Sequence, residues 1–178
     1  MIFTAMFAQR PLQTFYPAIS AKQGVSPALA SLPLFLHMFI QGVSGYFVGR
    51  LRHLLYRVGP LVAIQGAAGG VFLLLWRFPS YALSVVGISA LGVWAGFAYF
   101  CAVYYASNAG HRARNIGVNE FLVGLASFAS LFICEWFMKR TGSVPVMYAV
   151  CGAALVISTV AQWGVASFVK ARRRANST

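Results

Sequence analysis

The sequence has 178 residues, of which 60% are hydrophobic and only 9% charged, too apolar for a soluble domain to cover itself with polar side chains. Its 14 Lys and Arg stand against two acids, Glu120 and Glu135, for a formal net charge of +12. The basic residues lie between apolar runs rather than along one stripe, which argues against a nucleic-acid partner and for anchoring against anionic lipid headgroups.

Taken in chain order, apolar runs broken by charge, Gly and Pro predict an all-α, polytopic transmembrane bundle of six spans, at about 1–21, 27–49, 59–76, 80–105, 116–138 and 144–168, within a single unit over 1–169 and followed by a basic tail over 170–178. Each run is near the length that an α-helix needs to cross a hydrocarbon layer about 30 Å thick. The first run carries Arg10 near its middle, between Gln9 and Pro11 and close to Gln13. An Arg at the bilayer centre costs about 2.5 to 3.5 kcal/mol on insertion scales, so it is expected to face protein or a water-filled cavity. Met6, Gln13 and Pro17 share its helix face, and a polar, proline-interrupted face suits a substrate path. The competing reading shifts the span toward Leu12 and lets Arg10 snorkel to the interface. Arg10 follows the opening apolar stretch instead of preceding it, so no cleavable signal is expected and the first helix stays in the membrane.

The second run opens on Ser26-Pro27, an N-cap followed by proline at the first helical position. His37 lies deep within it, with Gln41 one turn later, and reads either as a proton-relay or substrate contact or as a hydrogen-bonded packing residue. His53 and His111 fall in loops, so the three histidines cannot supply facing axial ligands, and neither haem nor another cofactor is predicted. Gly42, Gly45 and Gly49 here, Gly66, Gly69 and Gly70 in the third run, and Gly92 and Gly96 in the fourth mark places of close helix approach. The fourth run ends on Tyr99, Phe100, Tyr104 and Tyr105, an interfacial belt or part of a cavity wall.

In the fifth run Glu120 is placed within about 10 Å of the midpoint by helical rise. It is expected to neutralise a loop cation such as Arg112 or Arg114, or else to titrate in proton coupling. Glu135 is expected to pair with Lys139 at i+4. Cys101, Cys134 and Cys151 show no metal-ligand spacing and read as small buried hydrophobes, so no metal site is predicted. No phosphate loop, activated nucleophile or carboxylate pair is present, and the chain is not expected to be an enzyme.

Short connections make neighbouring helices antiparallel. One side then collects Arg50, Arg52, Arg57, Arg112, Arg114, Lys170, Arg172, Arg173 and Arg174, against Lys22, Arg77, Lys139 and Arg140 on the other. The positive-inside rule places the richer side, and with it both termini, in the cytoplasm.

The segment from Gly45 through Gly49, Arg50, Arg52 and Arg57 to Gly59 closes one helix and opens the next. It resembles the cytoplasmic loop signature of major facilitator superfamily transporters: Gly45, Arg50, Arg52 and Arg57 match, whereas Gly49 occupies the usual Asp position. The rest of the chain is similar to the C-terminal six-helix half of such a transporter, with the basic loop Gly110-His111-Arg112-Ala113-Arg114 before the fifth span. That resemblance implies a cavity bordered by the first, second, fourth and fifth helices, which places Arg10, Gln13, His37, Gln41 and Glu120 on cavity helices. It also implies secondary transport of a small solute in a plasma membrane, expected to be a bacterial inner membrane. Such a transporter rocks two six-helix halves around a midplane site, so the expected partner is a second six-helix half or a second copy. The alternative function is a non-transporting membrane subunit that scaffolds a larger complex, suggested by the few intramembrane ionisable groups and the many packing glycines.

Overall fold

The computed structural model describes residues 2–51 and 57–175, with side chains as far as Arg172. Six helices occur among them: α1 (Ile2–Lys22), α2 (Pro27–Arg50), α3 (Val58–Arg77), α4 (Tyr81–Asn108), α5 (Arg112–Thr141) and α6 (Val146–Ala175). The expected number of helices is found. The largest boundary differences are at α5, which begins at Arg112 rather than near residue 116, and at α6, which runs on through the basic segment to Ala175. Hydrophobicity cannot locate such ends, because a helix carries on through polar residues as long as its backbone bonds and cap are satisfied.

Local chemistry accounts for the turns. Ser26 and Ser80 cap α2 and α4, accepting from the amides of Leu29 and Leu83, and Gly142 ends α5 in the left-handed region with φ of 67°, a conformation that glycine adopts without a Cβ penalty. Pro33 lies inside α2 and cannot donate to the carbonyl four residues earlier, that of Leu29. Tyr81 repairs the loss, its O–H reaching the Leu29 oxygen at 3.1 Å. Gln23 donates to the Pro79 carbonyl oxygen at 2.6 Å, tying the α1–α2 turn to the α3–α4 turn at one end of the bundle.

The helices pair as α2 with α4, α3 with α6 and α1 with α5, with α1 also touching α2, α4 and α6. Exchanging α1–α3 for α4–α6 leaves this scheme nearly unchanged: α2–α4 becomes α5–α1, α1–α6 becomes α4–α3, and α3–α6 maps onto itself. Because short turns alternate the helix directions, α1 and α4 run oppositely, so the exchange relates two three-helix sets of opposite direction.

Glycines set the closest crossings. A Cβ built at Gly92 would stand 2.5 Å from the His37 carbonyl oxygen, and one at Gly96 would overlap Ser44 Oγ and the Gln41 carbonyl oxygen. On the α3–α6 seam, a Cβ at Gly69 would come within 3.0 Å of Val156, and one at Gly152 within 3.0 Å of Leu73. Small residues that let backbones meet are the means by which helices associate where lipid removes the hydrophobic incentive.

Five helices, α2 to α6, are long and apolar enough to cross a membrane. Large apolar side chains on their outer faces stay exposed, among them Phe35, Val86, Phe121, Phe128, Ile157 and Phe168. A soluble protein does not leave apolar surface so continuous, and the bundle is compatible with an integral membrane protein. The remaining helix, α1, is interrupted by Gln9, Arg10 and Gln13, yet it supplies much of the core: Ala8, Leu12 and Tyr16 are fully buried.

Candidate polar site around the first helix

The polar residues of α1 point in two directions. Successive helical residues are about 100° apart, so Gln9 turns to α2 while Arg10 turns to α5. Gln9 is buried; its amide nitrogen donates to Gln41 Oε1 at 2.8 Å and stands 3.4 Å from His37 Nε2. The opposite ring nitrogen, Nδ1 of His37, lies 3.0 Å from the Ile88 carbonyl oxygen on α4. A carbonyl can only accept, so Nδ1 carries the proton and Nε2 of the neutral ring is the acceptor. One buried acceptor, Gln9 Oε1, is left without a partner.

Arg10 is exposed and donates from Nε to Ser127 Oγ at 3.3 Å. Ser127 in turn donates to the Val123 carbonyl oxygen at 2.7 Å, which orients the hydroxyl lone pairs toward the guanidinium. Among the described residues no carboxylate forms an ion pair with Arg10; the pair found there is Glu135 with Lys139 at 2.7 Å, exposed and at i+4 as expected. Gln13, one turn beyond Gln9 on α1, faces α2 instead and donates to Met38 Sδ at 3.3 Å.

The structure therefore brings Gln13, His37 and Gln41 to the α1–α2 seam and leaves Arg10 on the open side, against α5. Glu120 is exposed and accepts from Asn119 at 3.4 Å, rather than from Arg112 or Arg114 as the sequence suggested. Arg112 and Arg114 open α5 on its first turn and are exposed to solvent, where hydration makes pairing worth little. Glu120 and Ser127 are seven residues apart, two helical turns or about 10 Å, and share one face of α5.

Beside Gln41 a groove of about 400 Å³ runs between α2 and α4, lined among others by Met38, Gly42, Gly45, Tyr99 and Phe100. Two residues of the loop signature, Gly45 and Gly49, serve this seam: a Cβ at Gly49 would lie 3.0 Å from the Phe100 ring. Arg50 stacks over Tyr46 at 4.2 Å, a cation–π contact suited to a helix end. Arg57 is exposed just before α3, and Arg52, with His53, falls outside the described residues.

Three contributors were not singled out from sequence. Gln9 and Ser127 complete the site, and Gln65, buried on α3, donates to the Leu155 carbonyl oxygen and to Thr159 Oγ1, both at 3.4 Å, while Gln162 donates to Gln65 Oε1 at 3.4 Å. The available signal was only an uncharged amide or hydroxyl inside an apolar run, which needs a hydrogen bond when buried but does not say which helix supplies it.

Comparison with protein-family models, with curated proteins and with solved structures finds no match for this chain.

Proposed function

We propose that this chain forms a six-span, facilitator-type half of a secondary transporter that moves a small solute by alternating access, completed by a second six-helix half or a second copy. In this reading α1 also crosses the bilayer, giving six spans with α2 to α6, both termini are cytoplasmic, and the protein lies in a bacterial inner membrane. The observation that carries the proposal is the open guanidinium of Arg10 at midlength of α1. An Arg at that depth is tolerated where it meets protein or water rather than lipid, and here it lies beside Ser127 with no carboxylate paired to it among the described residues. The inverted pairing of α1–α3 with α4–α6 supports the same reading, because transporters of this class build midplane sites at such repeats. So does the position of Gln13 and Gln41 next to the α2–α4 groove.

The test is solute uptake into vesicles containing the chain together with its candidate partner half, across a panel of labelled sugars, amino acids and organic anions. Flux is expected for a member of the panel, and Arg10→Leu should abolish it while the protein still inserts. Undiminished flux in Arg10→Leu would remove the residue from the mechanism. A stable multi-protein complex with no flux for any solute would favour the scaffolding subunit instead.

A further inference from the structure

We propose that His37 Nε2 is a proton-binding site and that Gln9 relays its occupancy to Gln41 at the α2–α4 groove. The network has a definite donor order. His37 is fully buried, its Nδ1–H committed to the Ile88 carbonyl oxygen at 3.0 Å. The Gln9 amide therefore spends both of its N–H bonds, one toward the His37 Nε2 lone pair at 3.4 Å and one on Gln41 Oε1 at 2.8 Å. Its own oxygen is buried and unused.

A proton from the aqueous phase forms an N–H bond at Nε2, and no other covalent bond changes. That nitrogen then becomes a donor facing a donor. Half a turn of the Gln9 amide brings the idle Oε1 to the imidazolium, converting the contact into a charge-assisted hydrogen bond of roughly twice the neutral strength. The same Oε1 now faces Gln41, whose amide makes its own half turn about the Cγ–Cδ bond to donate instead of accept. Both hydrogen bonds persist with their direction reversed, and the side chain whose donor and acceptor have exchanged lines the groove.

Among the described residues, the charged and titratable groups on the elements packed against His37 are turned away from it or stand turns away along their helices. The elements packed against α2 are α1 and α4. On α1 the neighbouring cation, Arg10, is turned to Ser127 on α5, and Tyr16 lies two turns, about 10 Å, from Gln9. On α4 the nearest titratable residues along the chain, Tyr81 and Tyr99, are seven and eleven positions from Ile88, about 10 Å or more of helical rise. On α2 itself Tyr46 is nine positions away. Among the described residues, the added charge is met by the His37–Gln9–Gln41 network.

Use of this proton to drive solute movement rests on the transport reading; the binding site does not. The decisive measurement is nitrogen NMR of the protein in lipid bilayers, with His and Gln isotopically labelled, between about pH 8 and about pH 5, the range over which imidazole ordinarily changes charge. The Nε2 resonance is expected to pass to its protonated position, and the Gln41 side-chain amide to shift with the same midpoint. In Gln9→Leu, His37 still titrates but the Gln41 shift is lost. An Nε2 that stays unprotonated throughout overturns the proposal, as does a Gln41 amide that does not respond or one that responds equally in Gln9→Leu. If Gln9→Leu fails to fold, His37→Gln serves in its place, and a pH-dependent Gln41 amide in that variant is equally fatal. Flux that ignores pH while the network titrates overturns the coupling role; absence of flux at every pH while it titrates counts against the transport reading instead.

Discussion

Tyr81 donates its phenolic O–H to the Leu29 carbonyl oxygen at 3.1 Å, the carbonyl that Pro33 deprives of its partner within α2. The contact spans α4 to α2 at the end where both helices are capped by serine, so it reinforces the α2–α4 pair. Tyr81→Phe should retain the ring and lose only this bond. The expected cost is about 1 kcal/mol, read as a lowered midpoint in denaturant titration of the detergent-solubilised protein, with unchanged helicity by circular dichroism. A larger loss would mean that the ring, not the hydroxyl, is the main contributor.

The α2–α4 crossing gives a sharper prediction. Gly96 has no room for a Cβ between Ser44 Oγ and the Gln41 carbonyl oxygen, and both of those belong to backbone or to a short side chain that cannot swing clear. Gly96→Ala should cost about 1 to 3 kcal/mol, whereas Gly70→Ala, with open space around its Cβ position, should be neutral or slightly stabilising in the helix. Thermal unfolding of the two variants side by side separates a specific crossing from a general dislike of substitution.

On the other seam, Gln65 hydrogen-bonds to Leu155 and Thr159 at 3.4 Å, long contacts in a setting where interhelical polar bonds average about 0.6 kcal/mol. Gln65→Leu is therefore expected to be nearly silent in stability. Gly69→Leu should be severe, because Val156 and the Gly152 carbonyl oxygen lie within 3.4 Å of its Cβ position. If the order came out reversed, the amide cluster rather than backbone contact would be what holds α3 to α6.

Arg10→Leu should raise stability rather than lower it. Leucine at a helix centre is favourable for insertion where arginine costs about 2.5 to 3.5 kcal/mol, and the single bond to Ser127 Oγ is too weak to compensate. A variant that inserts and folds more readily yet has lost flux would mark Arg10 as retained for function. Destabilisation on substitution would instead identify it as a structural tie between α1 and α5.

The exposed Glu135–Lys139 pair should contribute little. Lys139→Ala is expected to leave the unfolding midpoint within experimental error, as solvent-facing i,i+4 pairs contribute only a few tenths of a kcal/mol.

The apolar runs, their number, the cap at Ser26 and the glycine stripes were all legible in the chain, because each depends on residues within a turn or two of one another. The G-x-x-x-G spacing at Gly92 and Gly96 announced a close approach. It could not say that α2 was the partner, nor that Gly45 of the loop signature would sit 3.7 Å from the Gly96 carbonyl oxygen by its Cβ position. His37 and Gln41 were recognisable as polar residues one turn apart; the third member, Gln9, is 28 positions away and nothing local ties it to them. Glu120 was assigned a loop cation for want of any better neighbour, and the fold gave it Asn119.

By itself, then, the sequence determined an all-helical chain with apolar runs of membrane-crossing length, the first of them interrupted by polar residues, since hydropathy and helical propensity act over short distances. Tertiary structure decided which side of α1 each polar residue faces. That choice belongs to the pairing of α1 with α2 on one flank and α5 on the other, and a 100° step between Gln9 and Arg10 sends one amide into a buried relay and leaves the neighbouring guanidinium open.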